Sequence, residues 1–256
     1  MTQLEAELLD FLLPAPGAVW TPAQTQAFLG QKGTRSAVYL AVGLLIRNQQ
    51  SDAARAAAVL EALVGLQKRE PGEWYGVWPG STSQKDRKLD HNWREFIGVG
   101  LIVARERYGK LLPKALIEKI DAALLVAADG DVHRNVSPEY TNIALMSAFL
   151  QEWVGARLTK PEIAAKGAEK AKQVTDLFNR FRTFTEDNSP TYGGVDAMGL
   201  ARHGDALPRG PSQSLWAVHP RLRYGHGAVH GDHRRSDLLA HPGQKNCART
   251  VGLAQP

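Results

Sequence analysis

The sequence contains a single cysteine, Cys247, so no disulfide can form within the chain. Scarce cysteine is typical of proteins that work in a reducing compartment. Apolar runs long enough to span a bilayer are also missing. The acidic residues Glu5, Glu7 and Asp10 near the start lack the basic flank of a secretory signal. These absences predict a soluble, cytoplasmic protein that has no membrane partner.

Residues 1–199 carry no excess charge of either sign. Eight of the 31 Lys and Arg and three of the 26 Asp and Glu lie in residues 200–256, which leaves 23 of each sign before them. The net charge of +5 therefore comes from the 8 − 3 difference in the last segment. A protein that binds nucleic acid usually presents a basic stripe on its folded part. The charge distribution predicts no nucleic-acid partner, and no motif in the chain indicates a cofactor.

The sequence does contain a recurring helical pattern. Nearly all-apolar segments begin close to residues 34, 92 and 138, each followed by a second helical segment, and another unit starts near residue 193. A spacing of roughly 45–60 residues is typical of stacked helix pairs. In a closed ring, the apolar helix of each pair would line the inside and its partner would cover the outside. The pattern predicts an all-α protein whose helical hairpins form a partial (α/α) toroid over residues 1–199.

Residues 200–256 break the helical pattern. Six of the eight histidines lie there among scattered Gly, Pro and Arg, and no apolar period continues. His226, His230 and His233 have a spacing that metal ligands can adopt in an ordered segment, but we assign no metal site to them. We expect this segment to be an irregular tail, either disordered or produced by a shifted reading frame.

Three polar links join an outer helix to the next inner helix, and in a toroid all such links lie at one end. They are residues 71–91, 129–141 and 183–192. In this arrangement the three links would surround one mouth of the ring, where a ligand cleft is expected. The sequence therefore places the candidate site at this mouth.

The first link supplies aromatic and ionisable candidates. Its aromatic residues are Trp74, Tyr75 and Trp78. Their flat side chains can stack on sugar rings, or they can instead fill the end of the barrel. The helix start that follows supplies His91 as a neutral general base, Glu95 as a carboxyl group, and Asn92 and Arg94 as ligand contacts. Structural roles would also explain these residue types: Asp90 can serve only as a helix cap, His91 can be satisfied by loop backbone, and Arg94 and Glu95 can pair with neighbours on the helix surface.

The other two links supply fewer candidates. Tyr140 and Asn142 stand at the start of the third inner helix and are candidate contacts for a sugar or carboxylate. Glu186, Asn188 and Tyr192 lie in the third link, where Pro190 interrupts any helix. We assign possible catalysis to Glu186 and Tyr192 and ligand binding to Asn188, while turn and cap chemistry would explain the same residue types.

Four stretches together resemble the six-hairpin (α/α) toroid superfamily of glycoside hydrolases and polysaccharide lyases. They are Trp74 to Trp78 (WYGVW), Asn92 to Phe96 (NWREF), Tyr140 to Asn142 (YTN) and Asn188 to Tyr192 (NSPTY). The resemblance covers roughly residues 34–199 and lies in helical pattern and polar links rather than in a diagnostic catalytic signature. It implies an oligosaccharide or polysaccharide bound at the mouth of the toroid.

The resemblance implies two possible chemistries. A hydrolase needs two carboxyl groups beside the scissile bond, for which the candidates are Asp90 or Glu95 and Glu186 or Asp196. A lyase removes the proton next to a uronic carboxylate.

The lyase reaction needs a base, for which the candidates are His91 and Tyr192. It also needs groups that neutralise the carboxylate, such as Arg94, Asn142 or Asn188. The Asn, Tyr, His and Arg content of the links slightly favours the lyase. Two alternatives stay open: a helical-repeat interaction scaffold and an inactive, truncated fragment of a toroid enzyme.

Overall fold

The computed structural model describes residues 2–83, 89–181 and 183–184. These residues form eight α-helices and one short 3-10 turn at Gly109–Leu111. The helices are α1 (Gln3–Leu12), α2 (Pro22–Lys32), α3 (Thr34–Arg47), α4 (Asp52–Val64), α5 (Trp93–Tyr108), α6 (Lys114–Arg134), α7 (Thr141–Arg157) and α8 (Pro161–Phe181). The predicted all-α class is confirmed for this part of the chain.

Six of the helices pair into three consecutive hairpins: α3 with α4, α5 with α6, and α7 with α8. The first helices of the hairpins also pack on one another, α3 on α5 and α5 on α7. The second helices do the same, α4 on α6 and α6 on α8. The hairpins therefore form two layers, as the repeat predicted. The fourth hairpin expected near residue 193 and the tail at 200–256 lie outside the described residues.

Helix α7 lies at the centre of this arrangement. Every residue from Thr141 to Gly155 is buried, as expected for a helix that is apolar nearly all round. Helix α8 packs on it closely enough that a Cβ atom on Gly167 would lie 2.7 Å from the backbone nitrogen of Glu152. Glycine thus permits the close contact between the two helices of the third hairpin. None of the helices in the described part of the chain is long and apolar enough to cross a membrane.

The segment before α2 is fastened to the first hairpin by two buried arginines. Arg47 of α3 donates to the carbonyl of Pro14 and binds Asp52 through its Nε at 2.8 Å. Arg55 of α4 donates to the carbonyls of Ala15 and Ala18 at 2.7 and 2.8 Å. Because these carbonyls lie in irregular backbone, the guanidinium groups supply the hydrogen bonds that a helix would otherwise provide.

Helix α6 is longer than the sequence predicts. The Asp129-Gly130 pair indicated a stop after Ala128, but the helix continues to Arg134 and is capped by Asn135 in the left-handed conformation. Gly130 is retained inside the helix because a Cβ atom there would lie 2.4 Å from the carbonyl oxygen of Tyr75. The glycine marks a close approach between α6 and the first link rather than a helix end.

Candidate functional site

A cleft of about 670 Å³ lies where the first link, the start of α5 and the end of α6 meet. Its volume is within the range of small-molecule sites, roughly 300–1,000 Å³. The basic and imidazole side chains in its wall are Arg69, Arg94, Arg134, His91 and His133. Its acidic side chains are Glu73 and Asp129, and Tyr75 supplies an aromatic ring. The first two predicted links are therefore brought together at one end of the helices.

The first link is held against α6 by its backbone. Gly76 has a φ of +83°, and a Cβ atom there would lie 2.7 Å from the carbonyl oxygen of Val126. The amide of Gly76 donates to the carbonyl of Lys68, and the amide of Lys68 donates to the carbonyl of Val77, both at 2.8 Å. This folded-back loop fixes the cleft wall formed by residues 71–75.

Arg94 forms part of the cleft wall, and only 2% of it is exposed. Its Nε donates to the carbonyl of Tyr75 at 2.9 Å, and its Nη2 donates to the carbonyl of Glu73 at 3.4 Å. Its Nη1 has no hydrogen-bond partner among the described residues. Burial lowers the pKa of Arg94, an effect that the nearby carboxyl groups of Glu95 and Asp131 oppose. A buried donor without an acceptor is costly, and the guanidinium group adds a positive charge to the wall of the cleft.

His91 lies beside Arg94 in the cleft wall and stacks on Trp74. The two ring centroids are 4.3 Å apart with an interplanar angle of 13°. The imidazole Nε2 lies 3.6 Å from Oε1 of Glu73. Burial lowers the pKa of His91, as do the positive charges of Arg94 and Arg134, while Glu73 acts in the opposite direction. The imidazole is therefore mainly neutral at neutral pH and can accept a proton.

Arg134 connects the first and second links. It donates to Oε1 of Glu95 at 2.9 Å and to Oδ1 of Asn92 at 2.7 Å. The amide group of Asn92 donates in turn to the hydroxyl of Tyr140 at 3.0 Å. Three candidates from the sequence, Asn92, Glu95 and Tyr140, are thus joined through one arginine.

Glu95 lies beneath the cleft rather than in its wall. It is fully buried, and its contact with the cleft passes through Arg134. Burial raises the pKa of Glu95 well above its ordinary value, as does the nearby carboxyl group of Asp131. Arg134 opposes this rise. A carboxyl group in this position does not flank a bond of a ligand held in the cleft.

Trp78 lies in the core, which corrects its assignment to ligand binding. None of its surface is exposed, and its Nε1 donates to the carbonyl of Leu63 at 3.0 Å. The plugging role considered for the aromatic residues therefore applies to Trp78. Tyr75 lines the cleft. The partly buried Trp74 stacks on the imidazole ring of His91.

The remaining candidates do not line the cleft. Asn142 is buried at the start of α7, with 1% of it exposed. Glu186, Asn188 and Tyr192, together with the third link that holds them, lie outside the described residues.

Several cleft residues were not assigned a role from the sequence. Arg134 and His133 fall within the predicted second link, residues 129–141, because α6 was expected to end before them. Glu73 and Arg69 lie just before the aromatic residues of the first link, and neither belongs to a sequence motif that would indicate a role. Asp131, which lies beneath the cleft, gave no signal because the expected end of α6 placed it in the same predicted link.

Comparison with known proteins identifies one family. A family model described as Domain of unknown function (DUF8769) matches residues 16–212, which include α2 to α8 and the whole cleft. No curated protein and no solved structure matches the chain. The match covers more than half of the sequence, and the chain therefore belongs to the DUF8769 family.

Proposed function

We propose that the cleft binds an oligosaccharide or polysaccharide that carries carboxylate groups, and that the protein acts on it as a lyase. The proposal rests on one observation above all: the guanidinium group of Arg94, whose Nη1 has no hydrogen-bond partner among the described residues, belongs to a side chain that lines the same cleft as His91. A lyase needs such a pairing, a cationic donor for the uronic carboxylate and a base for the adjacent proton.

The reaction assigns a distinct role to each of these groups. Arg94 and Arg134 attract the uronic carboxylate, which makes the proton on the neighbouring carbon more acidic. His91 takes that proton, the bond from the next carbon to the glycosidic oxygen breaks, and a carbon–carbon double bond forms. The departing oxygen takes a proton from water, and His91 returns its own proton to water after the product leaves. Trp74 holds the imidazole in place by stacking on it. Tyr192, the other base considered from the sequence, lies outside the described residues.

The position of Glu95 favours a lyase over a hydrolase. A hydrolase needs two carboxyl groups on either side of the glycosidic bond, but Glu95 is fully buried and its Oε1 is bound by Arg134. Of the other carboxyl groups considered for hydrolysis, Asp90 is exposed and accepts a hydrogen bond from the amide of Asn92 at 2.9 Å, while Glu186 and Asp196 lie outside the described residues.

The convergence of polar groups favours a ligand site over an interaction scaffold. A scaffold would spread its polar contacts along a concave face, whereas three arginines and two histidines meet here around one cleft. We further propose that the two layers of hairpins are part of an (α/α) toroid, since inner helices that pack on inner helices and outer on outer are what such a ring requires.

The proposal can be tested by incubating the full chain with a panel of uronic and neutral polysaccharides. A lyase product contains a new double bond, which is detected by its ultraviolet absorbance. We expect product from at least one uronic polysaccharide, and we expect His91→Gln to reduce the rate by about 100-fold or more.

A matched control is available in the other histidine of the cleft. His133→Gln should lose far less activity, because His133 is mostly exposed and its Nδ1 already contacts the carbonyl of Asp129 at 2.8 Å. New reducing ends without a double bond would show hydrolysis and overturn the lyase assignment. Equal losses in the two variants would remove His91 from the role of base.

A further inference from the structure

Glu73 is an acidic residue of the cleft wall that has no role in the reaction described so far. It lies in the first link, and its side chain is mostly exposed. Its Oε1 lies 3.6 Å from Nε2 of His91. This distance is longer than a hydrogen bond but within the range of an ion pair. The carboxylate can therefore stabilise a positive charge on the imidazole without occupying Nε2.

The two ring nitrogens of His91 differ in their surroundings. Nδ1 is buried and has no hydrogen-bond partner among the described residues. The side chain as a whole is 32% exposed, so its exposed part does not include Nδ1. Nε2 is consequently the nitrogen that can take a proton from a ligand in the cleft. Glu73 lies beside this nitrogen, where the arriving proton would create the charge.

Arg94 fixes Glu73 and His91 relative to each other through their backbones. Its Nη2 donates to the carbonyl of Glu73 at 3.4 Å, and its Nε donates to the carbonyl of Tyr75 at 2.9 Å. The backbone amide of Arg94 donates to the carbonyl of His91 at 3.3 Å. Trp74 lies between the two anchored carbonyls and stacks on the imidazole. The approach of Glu73 to His91 is therefore fixed by a buried residue rather than by surface side chains alone.

The charged groups that act on the imidazole come from the first link, α5 and α6. Burial lowers the pKa of His91, Arg94 of α5 and Arg134 of α6 lower it further, and Glu73 of the first link raises it. Asp90 is exposed, and its carboxylate accepts from the amide of Asn92 at 2.9 Å. The other titratable side chains that line the cleft are Arg69, Tyr75, Asp129 and His133. An imidazolium near two arginines is unfavourable, and Glu73 opposes that effect.

We propose that Glu73 is a positioning residue for His91, and that its carboxylate stabilises the imidazolium that forms when Nε2 takes the proton of the sugar. The proton moves from the carbon to Nε2 and later from Nε2 to water, while Glu73 stays ionised throughout. The inference rests on the proposed function in one respect, namely that His91 is the base. The pairing of the two side chains does not depend on any ligand.

The pairing can be tested without a ligand by following the histidine ring signals of the full chain by NMR as the pH is changed. The measurement belongs at low ionic strength, where an exposed charge is screened least. The signals of His91 are those that disappear in His91→Gln. We expect Glu73→Gln to lower the pKa of His91, because glutamine keeps the shape of the side chain and removes its charge.

Asp129→Asn is the matched control for this titration. It also removes one acidic group from the cleft, but the carboxylate of Asp129 lies 3.9 Å from Nδ1 of His133 instead. Both substituted side chains are largely exposed, so both variants should fold. We expect the pKa of His91 to be unchanged in Asp129→Asn. An unchanged pKa of His91 in Glu73→Gln, or an equal fall in both variants, would overturn the pairing.

The role in the reaction can be tested by measuring kcat against pH with a uronic polysaccharide that yields product. A base works in its neutral form, so kcat should rise as the pH increases through the pKa of His91. In Glu73→Gln this rise should occur at lower pH, and the plateau should be about threefold to fivefold lower, because one exposed ion pair is lost.

The position of the rise separates the proposed role from a structural one. A variant that is only distorted would have a lower plateau with the rise at the wild-type pH, and this result would overturn the role of Glu73. If no uronic polysaccharide yields product with the wild type, the proposed function fails and the role of Glu73 with it. The NMR titration still decides in that case whether Glu73 and His91 form a pair.

Discussion

Trp74 and Trp78 lie four positions apart in one loop but have different environments. Trp78 is fully buried and bonded to the carbonyl of Leu63, whereas Trp74 is half-exposed and stacks on His91. The sequence presented both as aromatic residues in a Gly-rich link and could not distinguish them. The difference arises from Gly76, whose positive φ turns the chain so that Val77 and Trp78 enter the core.

The two tryptophans should therefore respond differently to truncation. Trp78→Ala should lower the free energy of unfolding by about 3–5 kcal/mol, because it leaves a large cavity in the core. Trp74→Ala should change it much less but should reduce lyase activity, because His91 loses its support. Urea unfolding and the absorbance assay measure the two effects. A large stability loss in Trp74→Ala, with little loss in Trp78→Ala, would reverse the assignment.

Glu95 should make stability depend on pH. Its pKa in the folded state is raised, so the native state binds its proton more tightly than the unfolded chain does. Wild-type stability should therefore fall as the pH rises from the unfolded pKa of Glu95 through its folded pKa. Glu95→Gln cannot ionise, so its stability relative to the wild type should increase over the same interval.

Urea denaturation at a series of pH values measures this effect. The exposed Glu118→Gln on α6 is the matched control and should follow the wild-type curve at all pH values. A Glu95→Gln curve that runs parallel to the wild type would contradict the buried, protonated state of this side chain.

At the scale of single elements, apolar periodicity predicted the three hairpins, but one helix end and the site that depends on it were missed. The helix α6 was expected to stop at Asp129-Gly130, which are breakers in isolation. The stop was wrong because Gly130 accommodates the carbonyl of Tyr75 from a distant segment. Asp131 and Arg134 were consequently placed in a loop, and their contact with Glu95 could not be foreseen. Close approaches between distant segments leave no periodic signal in one sequence.

The contact between α7 and α8 should be the element most sensitive to a single added methyl group. A Cβ atom on Gly167 would lie 2.7 Å from the nitrogen of Glu152 and 2.9 Å from the carbonyl oxygen of Ala148. These are backbone atoms, so the helices must separate. Overpacking outweighs the better helix propensity of alanine, and Gly167→Ala should lower the free energy of unfolding by about 1–2 kcal/mol.

Gly65→Ala is the matched control for this prediction. Its added Cβ atom would lie 3.4 Å from the nearest atom, an ordinary contact distance, and its φ of −67° suits alanine. Thermal unfolding of both variants gives the comparison. Equal stability of Gly167→Ala and the wild type would show that α7 and α8 tolerate a wider separation.

At the scale of the whole molecule, the two layers of hairpins bring the first two polar links to one end and build a cleft between them. This convergence was predictable, because links that join the second helix of one hairpin to the first helix of the next must lie on the same side of the layers. The cationic character of the cleft was not predictable, because residues 1–199 are balanced in charge. An overall balance of charge does not reveal that buried acidic groups lie beneath the cleft while arginines lie in its wall.

We propose that this cleft recognises a carboxylated sugar through Arg94. The most direct test is calorimetric titration of the full chain with a galacturonic acid tetramer and with a neutral tetramer of the same length. Arg94→Lys keeps the charge but loses the free Nη1, and its thermal unfolding should be checked against that of the wild type.

We expect the uronic tetramer to bind more tightly than the neutral one. We also expect Arg94→Lys to weaken the binding of the uronic tetramer by about 10–100-fold, the cost of one charge-assisted hydrogen bond. Equal binding of the two tetramers, or unchanged uronic binding by a folded Arg94→Lys variant, would contradict recognition of the carboxylate by Arg94.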